Sequence, residues 1–257
     1  MSSDGRTVRW NPHIDEAEKE EIMNVDWEEV PDEFINNNHS SESLKWDGEK
    51  YFNKAKDRRP SKTIQELTRT GEFDHRLMLY DEHHDTGVHA PTPYGAILNE
   101  GEKTDEVVME FMGGNGWTSF PTAFSQGELV GEDQVSQVCK GLGKFAKILE
   151  NEQMRHGDIA LRHFYVNQDN YDVGVIDIEG GTANARSSEV KAEVAQIEDV
   201  IERIPRPQYE GQMIGWYQEG YDSVPDPENT QLPTSVYDAG DNGFDLSGTI
   251  SDVFCWN

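Results

Sequence analysis

The most informative part of the amino-acid sequence is HGDIALRHFYV at residues 156–166, followed by GVIDIE at residues 174–179. Two histidines and two aspartates occur here among apolar residues that are typical of short strands. The turn-forming sequence Gln168-Asp169-Asn170 separates two strand-like pieces, so the pattern predicts a short hairpin. Asp158 in the turn before this hairpin and Asp177 at its end are therefore candidate residues of one site.

The residues on either side of this stretch have helical patterns. Before it, apolar residues recur three and four positions apart between Glu132-Asp133 and Leu149, and the acids at the start suit the helix dipole. After it, a second amphipathic pattern ends at Pro205, and a third contains Trp216, Tyr217 and Tyr221. We interpret these aromatic residues as packing of the last helices, with a wall of a binding site as the alternative.

The first half of the chain has mainly strand patterns. The turn pair Asp47-Gly48 separates SLKW from EKYFNKAK, which predicts a hairpin, and two further strands are predicted in YGAILNE and VVMEFM. One helix is predicted between Ser61 and Asp85, and another within residues 1–35. The order, β-rich and then α-rich, predicts an α+β fold of two lobes that meet near residues 113–116, with a ligand cleft between them.

The composition is strongly acidic, with 22 Lys and Arg against 50 Asp and Glu and a formal net charge of −28. The carboxylates are spread along the whole chain rather than collected in a tail, and the composition resembles that of haloarchaeal proteins, whose surface charge is screened by concentrated salt. An ordinary acidic protein is the alternative. Binding to a phosphate surface needs clustered Lys and Arg, so in a chain this acidic we expect no direct nucleic-acid partner, and an anionic ligand must meet a local concentration of positive charge.

Hydropathy and cysteine content narrow the class of protein further. A 35% hydrophobic content supports a folded core, and no apolar run is long enough for a membrane span. The first ten residues lack the apolar segment of a signal peptide, so we expect a cytoplasmic protein, in a high-salt cytoplasm. Two cysteines give no support to a disulfide framework or a zinc–thiolate site. We interpret the pair His83-His84 and the single His89 as a solvated helix end rather than a metal site.

The motif at residues 156–179 resembles the catalytic loop and metal-binding strand of protein-kinase-like phosphotransferases. In that superfamily a His-x-Asp turn follows a long helix, a metal ligand comes five residues after the Asp, and a second Asp ends a short hairpin. The form HGD is similar to that of aminoglycoside and choline phosphotransferases. The spacing Asp-x4-His-Phe resembles the lipopolysaccharide core heptose and Kdo kinases. The resemblance implies a two-lobe protein-kinase-like fold, with a small β-rich N-lobe and an α-rich C-lobe.

The resemblance also implies roles for residues of the predicted C-lobe. Asp158, in the turn with His156, would orient the acceptor hydroxyl and take its proton, and Asp177 would bind Mg²⁺. His163 occupies the position of the second metal ligand, where imidazole suits Mn²⁺ better than Mg²⁺, so His163 either binds Mn²⁺ or only donates a hydrogen bond. Glu179 would be an auxiliary metal ligand.

The N-lobe is expected to supply the nucleotide-binding groups. By resemblance, Lys54 would bind the α and β phosphates, with Lys56 as the alternative because it lies on the same face of the strand. Glu72 would hold that lysine from a helix, and Glu66 and Asp74 are the alternatives.

The strand VVMEFM is expected to lead into the hinge between the lobes. Met109 would be the gatekeeper, and Glu110, Phe111 and Met112 would present backbone groups to adenine. The loop Asn36–Ser41 occupies the place of the phosphate-covering loop, but it contains no glycine to allow close backbone approach.

We therefore expect an ATP-dependent phosphotransferase that uses Mg²⁺ or Mn²⁺ and transfers the γ-phosphoryl group to a hydroxyl of a sugar, glycolipid or other small molecule. The domains would be an acidic extension at residues 1–35, the nucleotide-binding N-lobe at 36–114 and the catalytic C-lobe at 115–257. The alternative is a catalytically inactive kinase-fold protein, a pseudokinase that binds a protein partner or has a structural role, for example as a virion component of a halophilic virus or in a plasmid system.

Overall fold

The computed structural model describes eight parts of the chain: 6–31, 42–57, 76, 79–80, 86–99, 104–113, 116–178 and 185–227. Contacts divide the chain into one compact unit, Met1–Val224, and a second, Pro225–Asn257. All elements named below lie in the first unit. None of the described helices combines the length and apolarity needed to cross a membrane.

The described strands lie mainly in the first half of the chain and the longer helices in the second half, as the sequence predicts. The strands are β1 Arg6–Trp10, β2 Glu28–Glu29, β3 Glu42–Trp46, β4 Tyr51–Asp57, β5 Val88–His89, β6 Pro93–Asn99, β7 Thr104–Glu110, β8 Trp117–Ser119, β9 Phe164–Asn167 and β10 Val173–Val175. The helices are α1 Glu16–Met23, α2 Phe120–Gln126, α3 Glu132–Asn151, α4 Ser187–Glu202 and α5 Glu210–Ser223, with short 3₁₀ turns at Leu161–His163 and Pro207–Tyr209.

The N-lobe is built on an antiparallel sheet of six strands among the described residues, in the order β1-β6-β7-β4-β3-β2. The predicted hairpin at Asp47-Gly48 joins β3 to β4. The Asp47 carboxylate accepts hydrogen bonds from the backbone N–H groups of Glu49, Lys50 and Tyr51, and Gly48 has a φ of 90°. This left-handed backbone favours glycine, which explains why the Asp-Gly pair marks the turn.

The N-terminal region differs from the single helix predicted within residues 1–35. Its helix is limited to α1, which begins after Asp15, whose side chain accepts the N–H of Glu18. Two strands flank the helix, and β1 pairs with β6 at one edge of the sheet. The predicted helix is present as α1, and Ile22 packs it into the core. Strand β1 was not predicted, because this short strand is stabilised by long-range pairing.

The C-lobe surrounds α3, whose apolar stripe is buried from Val135 to Leu149 as the spacing predicts. Strands β9 and β10 form the predicted hairpin, and the four-strand sheet has the order β5-β10-β9-β8 within the described residues. The second and third predicted helices are α4 and α5. Arg76, Leu79 and Tyr80 are helical, as predicted for their segment.

Helices α3 and α5 approach so closely that their backbones touch at two glycines. A Cβ atom at Gly143 would lie 2.0 Å from the carbonyl oxygen of Tyr217, and one at Gly220 would lie 2.0 Å from the carbonyl oxygen of Lys140. Backbone atoms cannot rotate away as a side chain can. The distance between these helices is therefore set by the lack of side chains at both positions.

Replacement of Gly143 by Ala is expected to lower the free energy of unfolding by about 1–3 kcal/mol, because the two helices must separate to admit one methyl group. The matched control is Gly215→Ala in α5, where nothing lies within 4 Å of the added Cβ. That change should be neutral or stabilise by up to about 1 kcal/mol, since Ala is the better helix former. Chemical denaturation measures both, and equal stabilities of the two variants would contradict the close backbone contact.

Candidate active site

A cleft lies between the six-stranded sheet and the hairpin β9–β10. Its apolar wall includes Leu44, Phe52 and Met109 from the sheet, and Tyr165 and Ile176 from the other side. This is the arrangement of a site for a flat aromatic group, because apolar side chains approach from both lobes.

Four charged side chains also line this cleft: Lys54, Arg76, Glu110 and Asp177. Lys54 Nζ lies 3.1 Å from Asp177 Oδ1, and Lys54 is only 4% exposed. Lys54 lies on β4, two residues after Phe52, so both side chains face the cleft. The alternative lysine, Lys56, also belongs to β4, but its side chain lies outside the described part.

Asp177 has an unusual backbone conformation, with a φ of 63°. Residues other than glycine seldom adopt this left-handed region, and Asp and Asn tolerate it best. The preceding residue is fixed on both sides: the Ile176 N–H donates to the carbonyl of His163, and the Ile176 carbonyl accepts from His156 Nε2 at 2.8 Å. The surrounding backbone thus holds the carboxylate of Asp177 in the cleft.

His156 is fully buried, and both of its ring nitrogens contact backbone. Nε2 donates to Ile176, and Nδ1 accepts the N–H of Asp158 at 3.3 Å. Burial lowers the pKa of His156 to about 4, although the hydrogen bond with Ile176 works in the opposite direction. The neutral ring therefore joins the turn that carries Asp158 to the strand end that carries Asp177.

His163 lies between the two aspartates, and its ring stacks on His156 with the ring centroids 5.7 Å apart. Nδ1 is 2.8 Å from the Asp158 carbonyl oxygen, which can only accept, so Nδ1 carries the proton. In the neutral ring Nε2 then presents a lone pair, and it lies 3.5 Å from Asp177 Oδ2. His163, the predicted second metal ligand, thus lies beside Asp177, the predicted first one.

These two atoms fit a divalent cation held between them. Neighbouring ligands around an octahedral ion with ligand distances of about 2.0–2.1 Å are about 3 Å apart, close to the separation of His163 Nε2 and Asp177 Oδ2. Within the described ranges no group of three or more His, Cys, Asp or Glu residues is arranged to hold a metal. Glu179, the predicted auxiliary ligand, lies outside them. Two protein ligands leave coordination positions for phosphate oxygens or water.

Asp158 lies at the open rim of the site, with its side chain 55% exposed. Its Oδ2 is 2.6 Å from Arg162 Nη2 and 3.8 Å from His163 Nδ1. An exposed carboxylate beside a buried polar cleft is accessible to an acceptor molecule from solvent. The Asp158–Arg162 pair was not predicted from the sequence.

Glu193, on α4, holds the turn that carries Asp158. Its buried carboxylate accepts the backbone N–H groups of His156 at 2.6 Å and Gly157 at 2.8 Å. Gly157 has a φ of 91°, which explains why glycine occupies the middle of the motif. The sequence carried a signal for Glu193: it lies three residues after Val190 and four before Ile197, on the apolar face of its helix.

Arg76 was also missed by sequence reasoning, and the same signal was present. It lies three residues after Phe73 and four before Tyr80, within the predicted apolar stripe of its helix. A charged residue in an apolar stripe indicates a buried charge with a specific partner or ligand. Glu72, Glu66 and Asp74, the predicted partners of Lys54, lie outside the described residues, as does the loop at 36–41.

The predicted hinge forms the end of the cleft: Glu110, Phe111 and Met112 all line it. The Phe111 N–H donates to the carbonyl of Lys50 at 2.8 Å. Met112 packs directly on Gly174 of β10, where a Cβ atom would lie 2.4 Å from the methionine Cε. The hinge is thus fixed to the C-lobe hairpin by a contact that only glycine permits.

The side chain of Glu110 forms a small polar cluster. Its carboxylate accepts hydrogen bonds from His89 Nε2 at 2.9 Å and from the N–H and hydroxyl of Thr92. Burial raises the pKa of Glu110, but these hydrogen bonds outweigh it and lower the pKa below its usual value. His89 also stacks on Trp117 and lies in β5, so its interpretation as part of a solvated helix end was wrong. His83-His84 lies outside the described residues.

Comparisons with known proteins agree with this arrangement. A model of the lipopolysaccharide kinase (Kdo/WaaP) family matches residues 31–212, which is more than half of the chain. Among solved structures, the chain is similar to one described as WaaP in complex with acyl carrier protein, with 14% sequence identity and a TM-score of 0.47. The match covers 74% of this chain and 78% of the other. No curated protein sequence matches the chain.

The family match covers the strand with Lys54, the turn with Asp158 and the hairpin that ends at Asp177. The predicted α+β, two-lobe architecture and the resemblance stated from the motif at residues 156–179 are both confirmed. The chain belongs to the lipopolysaccharide kinase (Kdo/WaaP) family and has its protein-kinase-like fold.

Proposed function

We propose that this protein transfers the γ-phosphoryl group of ATP to a hydroxyl group of a sugar, glycolipid or other small molecule. The observation that carries the proposal is the convergence of Lys54 Nζ and His163 Nε2 on the two carboxylate oxygens of Asp177, at 3.1 and 3.5 Å. Phosphoryl transfer requires mainly the positioning and neutralisation of phosphate charge, and this cluster supplies a buried cation beside candidate metal ligands.

Lys54 would bind the phosphates, since its ammonium group is buried and points to the same end of the cleft as Asp177. The apolar wall formed by Leu44, Phe52 and Tyr165 would hold the base. The hinge backbone of Glu110 to Met112 would bond to it through groups other than the N–H groups of Glu110 and Phe111, which donate to Thr92 and Lys50. His163 and Asp177 would hold the divalent ion, which when bound screens the charge of the phosphate oxygens.

Asp158 would act on the acceptor. Its exposed carboxylate can accept a hydrogen bond from a hydroxyl entering from solvent, orient it, and take its proton as the oxygen attacks the phosphorus. Glu193 and His156 contribute indirectly: Glu193 holds the two residues before Asp158, and His156 accepts the N–H of Asp158 itself. The roles divide as expected for a kinase: buried groups face the donor, and an exposed acid faces the acceptor.

A second candidate function is nucleotide binding without turnover. The observation that favours it is the 2.6 Å ion pair between Asp158 Oδ2 and Arg162 Nη2, which occupies one oxygen of the proposed base. Arg162 is itself 37% exposed, and such exposed pairs are weak, so an acceptor can displace it. The ion pair is therefore compatible with phosphoryl transfer and with binding alone, and a measurement of transfer distinguishes the two.

Nucleotide binding and transfer can be measured separately. Thermal unfolding of the whole chain, with and without ATP and with Mg²⁺ or Mn²⁺, should show a stabilisation of about 2.7 kcal/mol at 100 times the dissociation constant. Transfer from γ-labelled ATP should then be assayed with Kdo, lipopolysaccharide and simple sugars. Metal-dependent binding with transfer supports the kinase, binding without transfer to any acceptor supports the second candidate, and no binding of any nucleotide contradicts both.

A further inference from the structure

The guanidinium group of Arg76 is the most deeply buried cation among the described residues. Arg76 is 1% exposed, Lys54 is 4% exposed, and both line the cleft. An arginine side chain remains charged at every accessible pH, so its burial is costly unless anionic groups surround it. The two most buried cationic side chains of the described chain thus face one cavity.

This concentration of positive charge contrasts with the rest of the molecule. The chain has a net charge of −28, and an anionic ligand is repelled by most of its surface. Within the described lining of the cleft the charged groups are Lys54, Arg76, Glu110 and Asp177. Glu110 accepts hydrogen bonds from His89 and Thr92, whereas Asp177 pairs with Lys54.

Arg76 lines the same cleft as Lys54 and Asp177. Its charge acts on His156, where burial is the main cause of the lowered pKa and the charge of Arg76 contributes. The ring of His156 is bonded to the residue directly before Asp177. Arg76 and Lys54 therefore offer two cations to a ligand in this cleft, which Asp177 also lines.

We propose that Arg76 is a second phosphate-binding residue, whose planar guanidinium donates paired hydrogen bonds to the polyphosphate of the nucleotide beside Lys54. The inference rests on the proposed function, because it assumes that a nucleotide occupies this cleft. Arginine suits this role better than lysine, since its rigid fork of donors matches two oxygens of one phosphate group.

The proposal also accounts for a feature of the sequence. The segment at 36–41, Asn-Asn-Asn-His-Ser-Ser, contains no glycine, so it lacks the residue type that lets backbone N–H groups approach phosphates closely. A buried arginine would supply side-chain donors to the phosphate groups instead. Arg76 would then supply some of the phosphate contacts that a glycine-rich loop supplies in other nucleotide-binding proteins.

The test is the ratio of dissociation constants for AMP and ATP, measured by titration calorimetry at one fixed salt concentration with Mg²⁺ present. Arg76→Gln is expected to weaken ATP binding about 10–100-fold, because hydrogen bonds to a charged group are lost, and to change AMP binding less than about threefold. Arg203→Gln, the same loss of charge at an exposed position, should leave both constants unchanged. A purely structural role of Arg76 would weaken both nucleotides equally.

Arg76→Lys keeps the charge and is the second variant in case Arg76→Gln does not fold. It is expected to lower ATP affinity about 3–10-fold with AMP unchanged, because an ammonium group cannot replace the fork. An unchanged ratio in a folded Arg76 variant overturns the proposal while ATP binding by the wild type stands. Loss of the proposed function itself has a different signature, since the wild type would then bind neither nucleotide.

Discussion

Replacement of Asp158 by Asn is expected to lower the rate of phosphoryl transfer by about 10²–10⁴-fold and to leave the dissociation constant of ATP within about threefold of the wild type. The reason is the position of the carboxylate: it lies at the open rim, outside the cluster of Lys54, His163 and Asp177. The Asn side chain has nearly the same shape but cannot take the proton of an acceptor hydroxyl. Transfer from γ-labelled ATP and calorimetric binding measure the two quantities.

The matched control is Asp169→Asn, which removes one exposed acid from the turn between β9 and β10, away from the cleft. It should leave both transfer and binding unchanged. Undiminished turnover by the Asp158→Asn protein would remove Asp158 from the mechanism. A large loss of ATP affinity in that variant would instead place this carboxylate on the donor side of the reaction.

Replacement of Asp177 by Asn is expected to reduce ATP affinity at least about tenfold in the presence of Mg²⁺ or Mn²⁺, down to the affinity measured without metal. Asn is the informative variant because it tolerates the left-handed backbone at this position, where φ is 63°, as well as Asp does. Ala would add backbone strain to the loss of the ligand. The Asn variant therefore isolates the charge that would hold the cation.

Asp199→Asn, at an exposed position on α4, is the control for the loss of one negative charge. Titrations with ATP alone and with each metal should show that this control keeps the full dependence on metal. If the Asp177→Asn protein also keeps it, the cation is held by other groups, and His163 and Asp177 lose the role assigned to them.

Local patterns predicted those elements whose stability depends on neighbours in sequence. The turn at Asp47-Gly48 is fixed by the Asp47 carboxylate and by the positive φ of glycine, both of which act within four residues. Helix α3 has a continuous apolar stripe and acids at its start. The motif also indicated Asp158, His163 and Asp177 together, and His163 contacts both aspartates in the structure.

Long-range pairing could not be predicted in the same way. Strand β5 is two residues long and pairs in parallel with β10, about eighty residues later, so nothing near His89 indicates a strand. Strand β1 likewise depends on β6. Short segments gain their stability from partners that only the folded chain brings near, and patterns of hydropathy do not contain that information.

Buried charged residues were a third kind of feature, which the sequence predicted only in part. Glu193 and Arg76 occupy apolar positions of their helices, so the pattern indicated that they are unusual but not what they contact. In an acidic chain most carboxylates on helices are solvated, which hides the one that accepts the N–H groups of His156 and Gly157. Only packing distinguishes Glu193 from its neighbours.

The contact between α3 and α5 also affects the position of the turn that carries Asp158. Helix α3 ends at Asn151, five residues before His156, so any slide or rotation of that helix would displace Asp158 relative to the sheet that carries Lys54. Gly143 and Gly220 each face backbone atoms of the other helix, so such a movement of α3 would bring main-chain atoms into collision at two points along the helix. Two residues that lack side chains thus fix α3 against α5 and limit the movement of the turn that carries Asp158.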